Sequence, residues 1–169
     1  PVPECSNVRP ASFMSEAETA DLTSGDIQAL ALSQGFKSGG LRRVAAIDIG
    51  TNSTHLLVAS VDPALGTFSI IQAEKSTTRL GERDPDTVDL SAAAMERGFE
   101  TLRRFLELAN SHQVEQVVTA ATSAVREAPN GRDFLQSIKD ELGIEVDLVS
   151  GPEEARLIYL GVLSGMSFV

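Results

Sequence analysis

The segment at residues 44–60 constrains the fold of this chain more than any other. It contains two apolar, β-branched runs, one ending at Ile49 and one starting near Leu56, with Gly50 and a short polar turn between them. Two such runs separated by a glycine-containing turn predict a hairpin of buried strands. The rest of the chain is therefore expected to pack around a β-sheet.

The polar residues of this turn suggest a binding site. Asp48 lies inside the first run, where aspartate is uncommon, and a buried carboxylate needs a cation or a metal-bound water as a partner. Gly50 lets a ligand approach the backbone closely. Thr51, Asn52 and Ser53 offer hydroxyl, amide and backbone N–H groups to an anion. The alternative is a plain hairpin turn whose side chains bind only their own backbone.

Charge and composition exclude several classes of protein. The 169 residues include 14 basic and 24 acidic side chains, a net charge of −10, which disfavours nucleic-acid binding. No window has the ~18 uninterrupted apolar residues that span a membrane. A single cysteine, Cys5, and the absence of a visible secretory signal predict a cytoplasmic protein. The charge also disfavours polyanionic ligands unless cations are gathered locally or a divalent ion intervenes.

The periodicity of the sequence divides the chain into two parts. Residues 1–40 are proline-rich and aperiodic and predict a loosely ordered extension, whereas residues 41–169 predict one α/β domain. After the hairpin we predict a strand at 67–78, a helix capped by Ser91, a strand at 114–120, a helix from Asn130, a strand at 144–149 and a helix from 150–152. This order predicts a five-stranded mixed sheet with helices on both faces.

Two basic residues lie at the far end of the third predicted strand. Lys75 and Arg79 lie near its end, and residues 80–89 then predict an exposed, mobile loop. Both side chains could contact phosphate, or they could be solvated charges at the edge of the sheet.

The segment at residues 122–131 follows the fourth predicted strand. Ligands of open α/β sheets bind beyond the carboxyl ends of the strands, so this segment should face the same cleft as Gly50. Arg126 is its one cation, and a guanidinium can bind two phosphate oxygens at once. The alternative is a salt bridge to Glu127 or another acid.

The segment at residues 150–156 begins the last helix. Ser150 and Glu153 fit a capping box, which explains Glu153 but not Glu154. Glu154 lies at the positive end of the helix, where ionisation is favoured, and a carboxylate at a cleft can act as a general base on water. The alternative is that both glutamates only complement the helix dipole.

Three segments together resemble one enzyme family. DIGTNS at 48–53, TSAVREAPNG at 122–131 and SGPEEARLIYLGV at 150–162 closely resemble the exopolyphosphatase / guanosine pentaphosphate phosphatase family. The resemblance covers about residues 44–162 and implies a ribonuclease-H-like domain of the actin-like ATPase superfamily. It also implies a hydrolase that releases terminal orthophosphate from inorganic polyphosphate with Mg²⁺, or alternatively the 5′-terminal phosphate of guanosine pentaphosphate.

The resemblance also implies roles for individual residues. Glu154 would be the general base that activates water, and Arg126 would hold substrate phosphate. Asp48 would lie near the metal. The first phosphate loop would comprise Gly50, Thr51, Asn52 and Ser53.

One departure from the family pattern matters. Family members carry a second phosphate loop, DIGGGS, soon after the helix at 150–162, and the chain ends at Val169 before any such loop. We therefore expect the first domain of a longer enzyme, with the second domain as its partner and weak or no activity alone. A homodimer remains open. So do a phosphotransferase of the same superfamily and a non-catalytic phosphate- or nucleotide-sensing module.

Overall fold

The computed structural model describes residues 40–165, and a mixed β-sheet forms the centre of this part. Its five strands are β1 (Arg42–Ile49), β2 (Thr54–Asp62), β3 (Thr67–Ser76), β4 (Gln116–Ala121) and β5 (Asp147–Leu148). Their spatial order is β3-β2-β1-β4-β5. The first three strands pair antiparallel, whereas β4 runs parallel to β1, and β5 runs parallel to β4. The predicted five-stranded mixed sheet is confirmed; the predicted extension lies, apart from Gly40, outside the described residues.

Four helices connect or follow these strands within the described part of the chain: α1 (Ala92–Ser111), α2 (Ser123–Arg126), α3 (Gly131–Leu142) and α4 (Gly151–Gly165). Ser91 caps α1 as predicted, because its hydroxyl accepts a hydrogen bond from the Ala94 N–H at 3.2 Å. In residues 40–165 no helix is both long and apolar enough to cross a membrane.

The side chains of β1 alternate between two faces of the sheet. Ala45, Ile47 and Ile49 are almost fully buried, whereas Ala46 and Asp48 are exposed. Successive side chains of a strand point to opposite faces, so Asp48 shares its face with Ala46. The expectation that Asp48 is a buried carboxylate is therefore wrong.

The two long helices that follow β3 and β4 cover the buried face. Phe105 of α1 and Ile138 of α3 belong to the same core cluster as Ile47. Phe99 and Phe134 bring the helices together, with ring centroids 5.4 Å apart and planes at 86°, the edge-to-face geometry that aromatic pairs prefer. One core thus holds the sheet and both helices.

The structure differs from the sequence prediction in two elements. The last strand pairs only at Asp147–Leu148. Ile144, which was predicted to begin it, lies in the core cluster outside the sheet. The short helix α2 was not predicted, since four residues are too few to show helical periodicity.

The predicted loop at residues 80–89 is also different from expectation. It is exposed at residues 85–88, but Leu80 is fully buried in the core cluster, and so is Leu90 just beyond the loop. Burial of these two leucines fixes both ends of the loop against the fold. The prediction of an exposed loop therefore holds at Glu82 and residues 85–88 and is wrong at Leu80.

The core packing can be tested at Phe134. We expect Phe134→Ala to lower the free energy of unfolding by about 3–5 kcal/mol, because it removes a buried ring and leaves a cavity. Urea unfolding followed by circular dichroism measures the loss. Phe68→Ala is the matched control, since Phe68 is 49% exposed on β3, and should change stability by less than about 0.5 kcal/mol. Equal losses for both variants would contradict this description of the core.

Candidate active site

Three chain segments meet at one edge of the sheet. The strands β1, β4 and β5 are parallel, so their carboxyl ends lie at the same edge. Two backbone hydrogen bonds continue the pairing beyond the strands: the Thr122 N–H donates to the Ile49 carbonyl (3.3 Å) and the Val149 N–H to the Ala121 carbonyl (3.1 Å). The segments that follow these strands therefore lie side by side.

The first segment is the β1–β2 loop, residues 50–53. It is a tight turn in which the Gly50 N–H donates to the Ser53 carbonyl at 3.1 Å. A Cβ atom at residue 50 would lie 2.8 Å from that carbonyl oxygen, so a side chain does not fit there. The predicted hairpin turn is confirmed. Glycine is required at residue 50, because the backbone there packs directly against the Ser53 carbonyl.

A second loop braces this turn. The Gly81 N–H donates to the Thr51 carbonyl at 2.8 Å, and the Arg79 N–H donates to the Asn52 carbonyl at 3.0 Å. The fully buried hydroxyls of Thr54 and Thr78 lie 3.1 Å apart beside these bonds. Residues 78–90, called here the bracing loop, therefore form a wall of the site that the sequence did not predict.

Arg126 lies at the end of α2, in the second segment. Its Nη1 donates to the Val149 carbonyl at 2.6 Å and lies 3.8 Å from Glu154 Oε2. The acidic partner of Arg126 is thus Glu154 and not Glu127, which agrees with the alternative interpretation of a salt bridge to another acid. The side chain of Arg126 is 30% exposed, so the guanidinium remains accessible at the sheet edge.

Glu154 lies in the first turn of α4, in the third segment. The Ser150 hydroxyl accepts a hydrogen bond from the Glu153 N–H at 3.3 Å, which is the expected cap. Both carboxylate oxygens of Glu153 accept hydrogen bonds from Arg156, at 2.9 and 3.0 Å, and this bond lowers the pKa of Glu153. The two glutamates therefore have different surroundings: Glu153 binds its own helix, and Glu154 faces Arg126.

Asp48 lies close to Glu154 on the exposed face of the sheet. Removal of water by the surrounding protein raises the pKa of Asp48; His55 opposes this rise, and the Glu154 carboxylate adds to it. His55 is the cross-strand neighbour of Asp48 on β2. A carboxylate whose ionisation is made less favourable by lost hydration and by a second carboxylate marks a place where a cation binds favourably.

The residues at this place fit a magnesium ion bound together with substrate. Mg²⁺ in phosphate-transfer sites is held by one or two carboxylates, with phosphate and water oxygens completing the set. Asp48 and Glu154 supply carboxylates of that kind, and no group of three or more His, Cys, Asp or Glu suited to a metal occurs among the described residues. The donor set therefore suits a shared ion better than an all-protein metal site.

The structure separates the two basic residues that the sequence placed near the site. Arg79 adjoins the β1–β2 loop through its backbone, while its side chain is 67% exposed and lies 3.9 Å from Glu82. Lys75 is exposed and pairs across the strands with His55, which places it two strands away from Asp48. Arg79 is thus beside the candidate site, and Lys75 is at its margin.

Two contacts near the site were not predicted from the sequence. Arg83 of the bracing loop donates from Nη2 to the Ala124 carbonyl of α2 at 2.9 Å. The Asn130 side chain accepts from the Leu90 N–H at 2.8 Å and donates to the Leu90 carbonyl at 3.2 Å. Nothing in the local sequence pattern signals these contacts, because they join residues about forty positions apart.

Comparison with known proteins identifies the class to which this fold and site belong. The profile of the Ppx/GppA phosphatase family matches residues 56–168. The chain therefore belongs to the Ppx/GppA phosphatase family, as its motifs predicted.

Solved structures agree with this assignment. The crystal structure of the Aquifex aeolicus family member is 33% identical, with 75% of this chain and 41% of that chain covered and a TM-score of 0.69. An exopolyphosphatase from Cytophaga hutchinsonii is 34% identical, with 72% and 38% covered and a TM-score of 0.66. The chain thus spans about two-fifths of the length of these relatives.

Gly131 offers a test of how tightly the segment of Arg126 is packed. A Cβ atom at residue 131 would lie 1.9 Å from the Val125 carbonyl oxygen. We expect Gly131→Ala to lower the free energy of unfolding by about 3 kcal/mol, because the backbone has to move. Thermal unfolding measures this loss. The control is Gly151→Ala, where nothing lies within 4 Å of the added carbon; an equal loss there would contradict the prediction.

The raised pKa of Asp48 predicts how stability depends on pH. Without divalent cations, an ionised Asp48 destabilises the folded chain, since folding makes its ionisation less favourable. We expect Asp48→Asn to be more stable than the wild type at pH 7. The difference should shrink as the pH falls through the raised pKa and vanish below about pH 4, the range of an ordinary aspartate.

Denaturant unfolding at several pH values in the presence of a chelator measures this difference. Asp86→Asn removes the same charge from the exposed part of the bracing loop and is the control. If the two variants responded to pH in the same way, the local origin of the effect would be refuted.

Proposed function

We propose that this chain carries one wall of the active site of an exopolyphosphatase, which releases terminal orthophosphate from inorganic polyphosphate. The observation that carries the proposal is the pairing of Arg126 with Glu154, 3.8 Å apart at the sheet edge, next to the β1–β2 loop. Phosphoanhydride hydrolysis requires two groups of this wall of the active site: a cation that binds phosphate oxygens and a carboxylate that accepts a proton from water.

In the proposed reaction Glu154 acts as the general base. Its carboxylate accepts a proton from a water molecule while the water oxygen forms a bond to the terminal phosphorus. The bond from that phosphorus to the bridging oxygen breaks, and the shortened polyphosphate leaves with the electron pair. Arg126 and the N–H groups of the β1–β2 loop stabilise the negative charge on the terminal phosphoryl oxygens.

We further propose that Asp48 helps to hold Mg²⁺ at this site. The ion would neutralise phosphate charge. The chain as a whole cannot do so, because its net charge of −10 produces an electrostatic field that repels phosphate. Arg126 already faces Glu154, and Arg79 already faces Glu82. Because each glutamate offsets the positive charge of its arginine, the two arginines alone do not neutralise a bound phosphate, which supports the need for a divalent ion.

The length of the relatives supports a second wall outside this chain. Phosphoryl transfer depends on positioning and on charge neutralisation from several sides. Since the chain spans about two-fifths of its solved relatives, we propose that a second domain of a longer enzyme completes the cleft. The choice of polyphosphate as substrate is supported by the similarity to the Cytophaga hutchinsonii exopolyphosphatase, at 34% identity.

Glu154→Gln in the full-length enzyme tests this function. Glutamine keeps the size and the hydrogen-bonding capacity but cannot accept the water proton. We expect orthophosphate release from polyphosphate to fall by roughly 10²–10⁴-fold, with nearly unchanged affinity for polyphosphate. Release from guanosine pentaphosphate is measured in parallel, so that the preferred substrate emerges from the same enzyme preparations.

Glu153→Gln is the matched control, one residue away on the same helical turn. It weakens only the partly exposed pair with Arg156, a change worth about 0–1 kcal/mol of stability, and the rate should change little. Loss of most activity in Glu153→Gln would show that the roles of the two glutamates are reversed. Full activity in Glu154→Gln would refute Glu154 as the general base.

A further inference from the structure

The one-turn helix α2 leaves one of its carbonyl groups to a distant donor. Three carbonyls in this region accept hydrogen bonds from nearby backbone N–H groups: Thr122 from Arg126 (3.1 Å), Ser123 from Glu127 (2.9 Å) and Val125 from Ala128 (3.4 Å). The Ala124 carbonyl accepts instead from Arg83 Nη2, at 2.9 Å. Buried backbone acceptors need a partner, and here that partner comes from the bracing loop.

Arg83 is itself held in a fixed position. Its backbone forms a β-bridge with Leu90, supported on either side by hydrogen bonds from the Asp84 N–H to the Asp89 carbonyl (2.8 Å) and from the Ser91 N–H to the Glu82 carbonyl (3.2 Å). Its Nη1 is buried and has no hydrogen-bond acceptor among the described residues. Burying a donor without an acceptor costs free energy. The guanidinium of Arg83 is therefore held in place by its other contacts and not by water.

The contact matters because α2 is too short to hold itself in shape. One helical turn fixes several dihedral angles for a single hydrogen bond and is not stable alone. Arg126 is the last residue of this turn, and its contacts with Val149 and Glu154 depend on where the turn lies. A displaced turn would displace the guanidinium that faces the site.

We propose that Arg83 is a positioning residue that fixes α2 and thereby aims Arg126 at the substrate phosphate. This inference rests on the proposed function, since it requires Arg126 to bind phosphate. Arg83 acts through the Ala124 carbonyl and does not itself contact the reacting atoms.

A double-mutant cycle in the full-length enzyme tests the proposal, with kcat/KM for polyphosphate as the readout. We expect Arg83→Ala to lower kcat/KM by roughly 10–100-fold, as small misplacements of binding groups do. In an Arg126→Ala background the same change should cost less than about twofold, because the group that Arg83 positions is absent. Arg83→Lys keeps one N–H donor for the Ala124 carbonyl and should restore most of the loss.

The control is Arg97→Ala. Like Arg83, Arg97 donates to a backbone carbonyl, but it does so from α1 to the start of the bracing loop, from Nε to Thr78 at 2.9 Å, and it pairs with Glu82. Arg97→Ala therefore tests the loss of an arginine–carbonyl hydrogen bond that does not involve α2. We expect it to lower Tm, with kcat/KM within about twofold of the wild type.

The outcomes separate this inference from the proposed function. No effect of Arg126→Ala would refute the role of Arg126 and with it the proposed function. Two outcomes would overturn the positioning role alone, provided that Arg126→Ala itself has a large effect. In the first, Arg83→Ala lowers kcat/KM equally in the wild-type and the Arg126→Ala backgrounds. In the second, Arg83→Ala lowers only Tm. If Arg83→Ala does not fold, Arg83→Met keeps much of the apolar stem and goes through the same cycle, with the same results deciding.

Discussion

The parallel pairing of β1 with β4 is the constraint on which the whole site depends. Its register sets Ile49 opposite Ala121, and the Val149 N–H extends the sheet by binding the Ala121 carbonyl. Three chain segments therefore leave the sheet at one edge, although they are far apart in sequence. A shift of this register by one residue would turn Asp48 into the core and Ile49 out of it, so core packing and site geometry are specified by the same alternation.

Much of this arrangement was predictable, because hydrophobic periodicity reports burial directly. The hairpin, the helix capped by Ser91 and the five-strand order followed from it, and three motifs gave the family. The position of Asp48 was misjudged because an apolar run contains residues of both faces of a strand, and only the neighbouring strands show which face is covered. The bracing loop was missed for a different reason. Leu80 and Leu90 anchor it in the core, but two buried leucines ten positions apart in a mostly polar segment show no periodicity.

The charges of the site bear on how an acidic chain could hold the polyanionic substrate that we propose. The guanidinium of Arg126 faces Glu154, and the pKa of Asp48 is raised by lost hydration and by that same glutamate. Negative charge is therefore concentrated where the proposed metal ion would lie, and positive charge lies one contact away. In the proposed function, phosphate would be bound through local pairing and not through the long-range field, which for a net charge of −10 repels it.

Thr51 has a consequence for how this site can move. Its carbonyl accepts from Gly81 at 2.8 Å and its hydroxyl lies 3.1 Å from that of Ser123, so the β1–β2 loop is tied to the bracing loop and to α2. Loops tied together in this way have little freedom to fold over a ligand. Glu154 lies on α4, whose side chains at residues 157–161 are exposed, and its contact with Arg126 is long. The β1–β2 loop is thus held on two sides, whereas the helix that carries Glu154 has exposed side chains, and we expect α4 to have more freedom to move than the loop.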